Sequence, residues 1–308
     1  MRKTFETPGP VELTLKVPAG EISLETTDGS QTEVVLEPLH ADEASREAVE
    51  SSRVEMRERA LGGQEVVVEV GEGRRFALDL GEGKRLGFSF GRGAEVVLKI
   101  RSPHGANVNL QTGSGDVEAE GRFGAVEAVS GSGDLSFPDL QTADVKTGSG
   151  DVSIDHVHGE ATVQVGSGDI SLDNAGSTAR ISAASGDVFV GRLRGPGSIS
   201  TASGDVRVKE LDSSLEISTA SGDQLVEAVL QGAVALKSAS GDMQIGIRQG
   251  STLWVDAKSR SGSTSSELDV SDAPPEAGGP LVELRASTMS GDIRIVRAAA
   301  LTGQTAVE

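Results

Sequence analysis

The tetrapeptide Gly-Ser-Gly-Asp at Gly113–Asp116 recurs along the chain, in later copies as Ala-Ser-Gly-Asp, and last as Met-Ser-Gly-Asp at Met289–Asp292. Its aspartates are Asp116, Asp134, Asp151, Asp169, Asp187, Asp205, Asp223, Asp242 and Asp292. The steps between the first eight are 17 to 19 residues long, and 18 is the commonest step. Repetition at a fixed period of this size is typical of a solenoid, in which each repeat forms one coil.

Around each aspartate, apolar and polar residues alternate. Apolar residues stand six positions before the aspartate and one and three positions after it, as Val163, Ile170 and Leu172 do around Asp169. Alternation with a period of two is typical of a strand with one buried face. Each repeat is therefore predicted to contain one strand before the tetrapeptide and one after it. The tetrapeptide itself is predicted to be a tight corner, where glycine adopts backbone angles that other residues avoid.

A single repeat cannot bury its apolar side alone, but a stack of repeats can. Parallel pairing of coils about 4.8 Å apart would align the apolar positions into ladders inside a closed core. The apolar residues of one repeat, such as Val152, Ile154, Val163 and Val165, form i, i+2 pairs and do not follow the six-residue period of a left-handed hexapeptide helix. The sequence thus predicts an all-β fold, a right-handed parallel β-helix with coils of about 18 residues, its hand following the usual crossover rule.

The N-terminal part departs from this period. Residues 1–105 are predicted to form a β-rich cap, in which Gly20-Glu21-Ile22-Ser23-Leu24 is a degenerate first coil with glutamate in place of aspartate. Residues 31–95 are an insertion that covers the end of the stack, with one short helix over residues 42–51 capped by Asp42. Leu61-Gly62-Gly63 predicts a hairpin between two strands.

The rest of the chain divides into repeats and a tail. Residues 106–297 are predicted to form the repeat domain, and residues 298–308 a disordered tail. Ser261-Gly262-Ser263 resembles a corner that has lost its aspartate. The stretch 269–280, rich in proline and glycine, predicts a surface loop.

Composition limits the classes of function. The net charge of −19 argues against nucleic-acid binding, which depends on neutralising phosphates with Lys and Arg. The chain has no cysteine, so disulfides and thiolate metal sites are excluded. Neither a signal peptide nor an apolar run of membrane-spanning length is visible, which predicts a cytoplasmic protein without a membrane span, with envelope association as the alternative.

The row of nine aspartates is the most visible candidate site. Neighbouring carboxylates along one corner would repel each other by about 1 kcal/mol in water, so something must offset this repulsion. The favoured interpretation is structural, with each carboxylate accepting hydrogen bonds from backbone amides and the nearby serine. The alternative is a row of calcium ions, although calcium-binding nonapeptide repeats have a different spacing of Gly and Asp.

Two further groups are weaker candidates. His156 and His158 could hold a zinc ion, but an incidental exposed pair is favoured because neighbouring repeats supply no matching histidine. The basic residues Arg74, Arg75, Lys84, Arg85 and Arg92 accompany three Gly-x-Gly triplets. No helix follows these triplets, so they indicate hairpin turns and not a phosphate loop, although contact with an anionic partner is an alternative.

No catalytic arrangement is apparent, and no cofactor is predicted. The chain lacks a cysteine nucleophile and a Gly-x-Ser-x-Gly elbow. The exposed columns offer small polar groups, with Phe189 and Leu225 as isolated larger residues. The chain is therefore predicted not to be an enzyme.

The corner repeats, the alternating strand before Pro18-Ala19-Gly20, the helix at 42–51, the stretch from Gly246 through Trp254 to Leu268 and the ending Thr288 to Ile295 together resemble one family. This is the DUF4097 family of β-strand-repeat proteins, described as candidate adhesins, and the chain is most similar to its actinobacterial branch. The resemblance implies no enzymatic activity and no catalytic residues. Some members of the family are associated with envelope stress.

Three functions therefore remain open at this point. The first is a non-enzymatic solenoid that binds an unknown protein or envelope component in the manner of an adhesin or scaffold. The second is a structural protein that self-associates end to end, as bactofilins do, because the ends of a solenoid expose open strand edges. The third is a calcium-binding repeat module.

Overall fold

The computed structural model describes residues 1–59, 62–71, 94–268 and 280–298, and the backbone of residues 74–79 and 85–90. The chain divides into two compact units, Met1–Ser171 and Leu172–Glu308. The predicted tail, apart from Ala298, and the predicted surface loop, apart from Pro280, lie outside the described residues. The division into cap, repeat domain and tail stays a prediction.

Strands dominate both units. The first unit contains β1 (Arg2–Glu6), β2 (Val11–Thr27), β3 (Gln31–Pro38), α1 (Glu43–Glu50), β4 (Arg53–Glu58), β5 (Gln64–Glu69), β6 (Arg74–Asp79), β7 (Arg85–Phe90), β8 (Val96–Pro103), β9 (Ala106–Glu120), β10 (Arg122–Ser132), β11 (Leu135–Ser149), β12 (Val152–Val157) and β13 (Ala161–Ser167). The next strand, β14 (Ile170–Ala175), contains the boundary. The second unit continues with β15 (Ala179–Ser185), β16 (Val188–Leu193), β17 (Gly197–Ser203), β18 (Val206–Leu211), β19 (Leu215–Ser221), β20 (Gln224–Val229), β21 (Gly232–Ser240), β22 (Met243–Ile247), β23 (Thr252–Ser261), β24 (Thr264–Ser266), β25 (Leu281–Ser290) and β26 (Ile293–Arg297).

In the second unit, successive coils stack in parallel with their apolar columns aligned. Ile199 lies between Ile181 and Ile217 in the ladder, and Leu236 follows Ile217. All four side chains are at most 2% exposed. Burying a side chain of this size stabilises the fold by about 1.5–3 kcal/mol, so the ladders supply the core that a single coil lacks. The predicted all-β parallel solenoid is confirmed.

A buried amide side chain stands in the column that follows the corner aspartates. Gln224 stands where the other coils have an aliphatic residue, and it is 1% exposed. Its amide nitrogen donates to Thr219 Oγ1 at 2.9 Å and to the carbonyl of Lys237 at 2.8 Å. The amide nitrogen is therefore held by neighbouring polar groups inside the core, whereas the buried Oε1 of Gln224 has no hydrogen-bond partner among the described residues.

The coils of the second unit do not stack in chain order at their end. Strands β25 and β26 pair with β21 and β22 on one edge and with β23 and β24 on the other. The coil at residues 281–297 therefore lies between two coils that precede it in the sequence. The sequence did not predict this order.

The first unit contains the degenerate coil. Along β2 and β9, Gly20 pairs with Gly115, Glu21 with Asp116 and Ile22 with Val117, so the predicted correspondence is confirmed. The other edge of β2 pairs with β5 and β8, which together form the outermost coil of this unit.

Antiparallel strands cover that outermost coil. Strand β3 pairs antiparallel with β8, β4 with β5, and β1 with β3. Gly62 and Gly63 connect β4 and β5 with φ of +85° and +97°, which confirms the predicted hairpin. Helix α1 is also confirmed, since Asp42 Oδ1 accepts the N–H of Ser45 at 2.7 Å as an N-cap. Covered edges resist pairing with other chains.

Strands β6 and β7 pair with each other in a separate two-stranded sheet. Within the described ranges, no helix is long and apolar enough to cross a membrane.

Candidate functional site

Each corner is built around the glycine that precedes the aspartate. In the second unit Gly204, Gly222 and Gly241 have φ of +131°, +134° and +139°, a region that side chains other than hydrogen rarely allow. A Cβ atom at Gly222 would lie 2.1 Å from the carbonyl oxygen of Gly204 in the adjacent coil. The corner therefore requires glycine both for its backbone angle and for the close approach of adjacent coils.

The aspartates form a continuous hydrogen-bonded row within each unit. Seven of the aspartates donate their backbone N–H to Oδ1 of the aspartate in the adjacent coil, and the distances are 2.7–3.1 Å. These bonds run from Asp134 to Asp116, Asp151 to Asp134, Asp169 to Asp151, Asp205 to Asp187, Asp223 to Asp205, Asp242 to Asp223 and Asp292 to Asp242. The carboxylates thus satisfy amides that the turn of the backbone would otherwise leave without a partner.

Inward hydroxyl groups support the same corner. Thr201, Ser238 and Thr288 each donate to the carbonyl of the corner serine two residues later, at 3.0–3.2 Å. Ser130 and Thr147 do so in the first unit at 2.8 Å. The corner serines are therefore acceptors at their carbonyls. The carboxylates bond the backbone amides that the structural interpretation named, and at Asp292 a serine hydroxyl as well.

The row ends at Ser263. Asp292 Oδ1 accepts the backbone N–H of Ser263 at 2.8 Å and its hydroxyl at 2.9 Å, and these bonds hold the pKa of Asp292 below its usual value. Ser263 belongs to the outermost coil, and in the described part of the chain no further coil stacks on it. Among the described residues, an aspartate at this position would find no further backbone N–H to accept, which agrees with the serine found at this corner.

We expect Asp205→Ala to destabilise the protein by about 1 kcal/mol, because the amide of Asp223 would lose its acceptor as at a deleted helix cap. Asp205→Asn keeps an oxygen at the same position and is expected to change the melting temperature little. Calorimetry of both variants, with added calcium and with chelator, measures the change in melting temperature.

The calcium interpretation predicts the opposite result. It requires that Asp205→Asn be as damaging as Asp205→Ala, and that chelator lower the melting temperature of the unmodified protein. Either outcome would show that the carboxylates act by binding cations and not by accepting amides.

The histidine pair lies at one coil of the first unit. His158 Nε2 is 2.8 Å from Asp139 Oδ1, and His156 pairs with Asp139 across strands β11 and β12. Over the residues whose side chains are described, no group of three or more His, Asp or Glu residues could hold a metal ion. The His158 imidazole is thus engaged with a carboxylate, and the interpretation of the two histidines as an incidental exposed pair stays a prediction, with zinc binding as its alternative.

The basic cluster lies largely outside the described residues. Arg74 and Arg75 are in β6 and Arg85 is in β7, where only the backbone is described, and Lys84 and Arg92 are outside the described residues. The antiparallel pairing of β6 and β7 agrees with the predicted hairpin. Contact of this cluster with an anionic partner stays a prediction.

One outward column of the second unit combines apolar and basic side chains. Phe189, Arg207 and Leu225 are paired in register along β16, β18 and β20, so the two apolar residues share a column with the arginine between them. The ammonium of Lys209 lies 4.9 Å from the centroid of the Phe189 ring. A cation over an aromatic ring is a favourable contact, and arginine is among the residues enriched at the centres of binding interfaces. We call Phe189, Arg207, Lys209 and Leu225 the Phe189 patch.

The profile of the Toastrack DUF4097 family matches residues 11–194 and 196–296. The chain belongs to the Toastrack DUF4097 family. This agrees with the coils seen in both units, which lie within the matched ranges.

Two solved structures are similar to this Toastrack chain. One is a candidate cell adhesion protein from Clostridium sporogenes, with 8% identity and a TM-score of 0.21, covering 96% of this chain and 99% of that one. The other is a candidate adhesin from Bacteroides fragilis, with 10% identity and a TM-score of 0.35, covering 96% of each chain. No curated protein matches this Toastrack chain.

Sequence reasoning treated Phe189 and Leu225 as isolated residues. Each stands two positions after a corner aspartate, Asp187 or Asp223, and this shared offset places them in one column. Applied to outward positions as well as to inward ones, the same column comparison would have identified the patch in this Toastrack chain.

Proposed function

We propose that this protein is a non-enzymatic binding module, adhesin-like or scaffold-like, that holds a protein or cell-envelope component on the outer face of its second unit. The Phe189 patch carries the proposal. Its aromatic ring, its aliphatic side chain and its two cationic groups lie within three adjacent coils on a rigid parallel sheet. Binding sites built on strands hold their side chains in place better than sites on loops do.

The charges of the patch favour a partner surface that is anionic, or that combines anionic and apolar groups. Arg207 forms an ion pair with Glu227 at 2.5 Å, whereas Lys209 stacks on the ring of Phe189. An apolar surface with cations beside it, on a chain of net charge −19, would select a complementary partner and keep other acidic surfaces away. The link to the envelope and to its stress response rests on the family resemblance alone.

The hydrogen bonds of the aspartate row favour a structural role for its carboxylates over a calcium-dependent function of the protein. In seven pairs of adjacent coils, one oxygen of an aspartate carboxylate accepts the backbone N–H of the next aspartate at 2.7–3.1 Å. Such a role accounts for the repeat without any ion. The calorimetric comparison of Asp205 variants tests this part of the proposal.

Site-specific photo-crosslinking in the producing cells tests the binding function. A photoreactive residue at Phe189 or Leu225 is expected to yield a discrete crosslinked species. Ser200 and Ser218, outward residues of β17 and β19 on a different face, are matched control positions and are expected to yield little. Equal crosslinking at both pairs of positions, or none at either, would contradict the proposal.

A second comparison separates contact from chemistry. Phe189→Ser combined with Lys209→Glu removes the ring and reverses one charge of the patch without touching an inward column. This variant is expected to lose the crosslink placed at Leu225, while Ser200→Glu is expected to keep it. A crosslink that survives the double variant would show that the patch does not hold the partner.

A further inference from the structure

The outermost coil of the second unit has strand β23 at its edge. Strand β23 pairs with β25, and among the described residues no strand pairs with its other edge. Thr252 donates its backbone N–H to Pro280 at 2.8 Å, toward β25. Because successive residues of a strand direct their N–H and C=O groups to opposite edges, residues 253, 255 and 257 direct theirs to the open edge.

The same strand leaves part of the core uncovered. Val282, Leu284 and Ala286 of β25 are at most 3% exposed. Their partners in β23, which are Leu253, Val255 and Ala257, are only half-buried. Within the described part of the chain, the apolar column thus continues into the outermost coil without a cover, and such an edge is normally protected.

The other half of this coil is polar. Thr264 and Ser266 of β24 occupy the column of Ile293 and Ile295, and both are exposed. Ser263 replaces the corner aspartate, so it offers no carboxylate to a further coil. Another coil stacked in parallel would therefore lack a cap at its corner and an apolar column over β24. These features oppose the end-to-end filament. A partner at this end would therefore have to be a strand that pairs with the edge of β23 left unpaired in the described part of the chain.

The outward side chains of β23 identify this occupant. Asp256 and Lys258 form an ion pair at 2.9 Å, Trp254 is 48% exposed, and Arg260 is exposed. When β23 pairs antiparallel with itself about a twofold axis at Ala257, Asp256 lies opposite Lys258 of the second copy. Trp254 then lies opposite Arg260 of the second copy. Opposite charges and cation–π contacts across a strand pair are favourable, so the sequence of this strand is complementary to itself.

We propose that two copies of this chain form a closed dimer through antiparallel pairing of their β23 strands. The twofold axis runs along the sheet normal, so inward residues stay inward and the two open cores cover each other. The pairing is isologous and uses up both open edges, which limits the assembly to two copies. It uses a surface separate from the Phe189 patch, so it stands or falls independently of the binding function.

Concentration-dependent sedimentation of the full chain tests the dimer. A contact of one strand pair is small, so we expect a reversible monomer–dimer equilibrium in roughly the micromolar to millimolar range. Trp254 is the only tryptophan of the chain, so its fluorescence reports on this contact directly. We expect its emission to shift to shorter wavelength as the dimer forms, and Arg260→Ala to weaken association.

Charge variants supply the decisive comparison. Asp256→Lys places like charges opposite each other twice per dimer and is expected to weaken association at least about tenfold. Combining Asp256→Lys with Lys258→Asp restores both pairs and is expected to restore the dimer. Lys237→Glu reverses a charge that is paired with Glu216 on an interior coil and is the matched control, expected to dimerise normally.

Three results would overturn the proposal. One is a strict monomer over the whole range of protein concentration. This result would count against the dimer whether hydrogen exchange finds the β23 backbone amides open to solvent or protected by the chain itself. The second is an assembly that grows beyond two copies. The third is a dimer that the Asp256→Lys variant leaves unchanged, since a contact elsewhere would then hold the copies together.

Discussion

Gly222→Ala is expected to lower the free energy of unfolding by about 3 kcal/mol or more, because a strained backbone angle costs about 1–3 kcal/mol and the new methyl group also meets a carbonyl. The φ of Gly222 is +134°, and its Cβ would lie 2.1 Å from the oxygen of Gly204. The adjacent coil would have to move away, which would weaken the hydrogen bonds on both sides of the corner. Urea denaturation measured by circular dichroism gives the value.

Gly250→Ala is the matched control for this prediction. Gly250 also has a positive φ, +88°, but nothing lies within 4 Å of its Cβ position. Gly250→Ala is therefore expected to lower the free energy of unfolding by only about 1–2 kcal/mol, because the methyl group strains the backbone angle but meets no other atom. Equal losses in the two variants would mean that the coils do not approach each other closely at the corner.

Leu236→Ala is expected to cost about 2–5 kcal/mol, because it opens a cavity in a stacked column that cannot collapse without moving two coils. Leu236 is fully buried and lies between Ile217 and Ala286 in the ladder. The same denaturation experiment measures the loss.

The adjacent residue Lys237 provides the control. Its side chain is 61% exposed and pairs with Glu216, so Lys237→Ala is expected to cost at most about 1 kcal/mol. Losses of similar size for the two variants would show that Leu236 does not lie in a closed core.

The sequence predicted the local parts of this fold well. The corner glycines, the inward columns and the N-cap at Asp42 each depend on residues close together in the chain, and all are confirmed. The degenerate coil at Gly20 was recognised because its spacing of glycine, acid and two aliphatic residues is retained.

The order of the coils could not be predicted in the same way. Most coils present similar aliphatic columns, so the pattern identifies which strands stack but not which coil lies next to which. The lost aspartate at Ser263 was the available signal, since a coil at the end of the stack has no further amide to accept. Read in this way, Ser263 in place of aspartate indicates a coil on which no further coil of the described chain stacks.

The surface was harder to predict than the core. Exposed side chains follow no required pattern. Their neighbours come from other coils, and exchanging one exposed side chain for another changes the free energy of unfolding little. The stacking of Arg285 on the exposed Trp254 ring, at 5.6 Å, depends on the reversed order of β23 and β25. Such contacts become visible only when the register between coils is known.

Distances between pairs of spin labels in the second unit, measured by electron paramagnetic resonance, test the central claim most directly. The chain has no cysteine, so label pairs can be introduced cleanly at Ser182 with Ser287, and at Ser182 with Lys258. These outward positions share one column, four and five coils apart, which predicts separations of about 19 Å and about 24 Å at the usual strand spacing. If the pair ending at Lys258 were the shorter one, or if neither distance were near a multiple of the strand spacing, the stacked solenoid with its reversed last coils would be wrong.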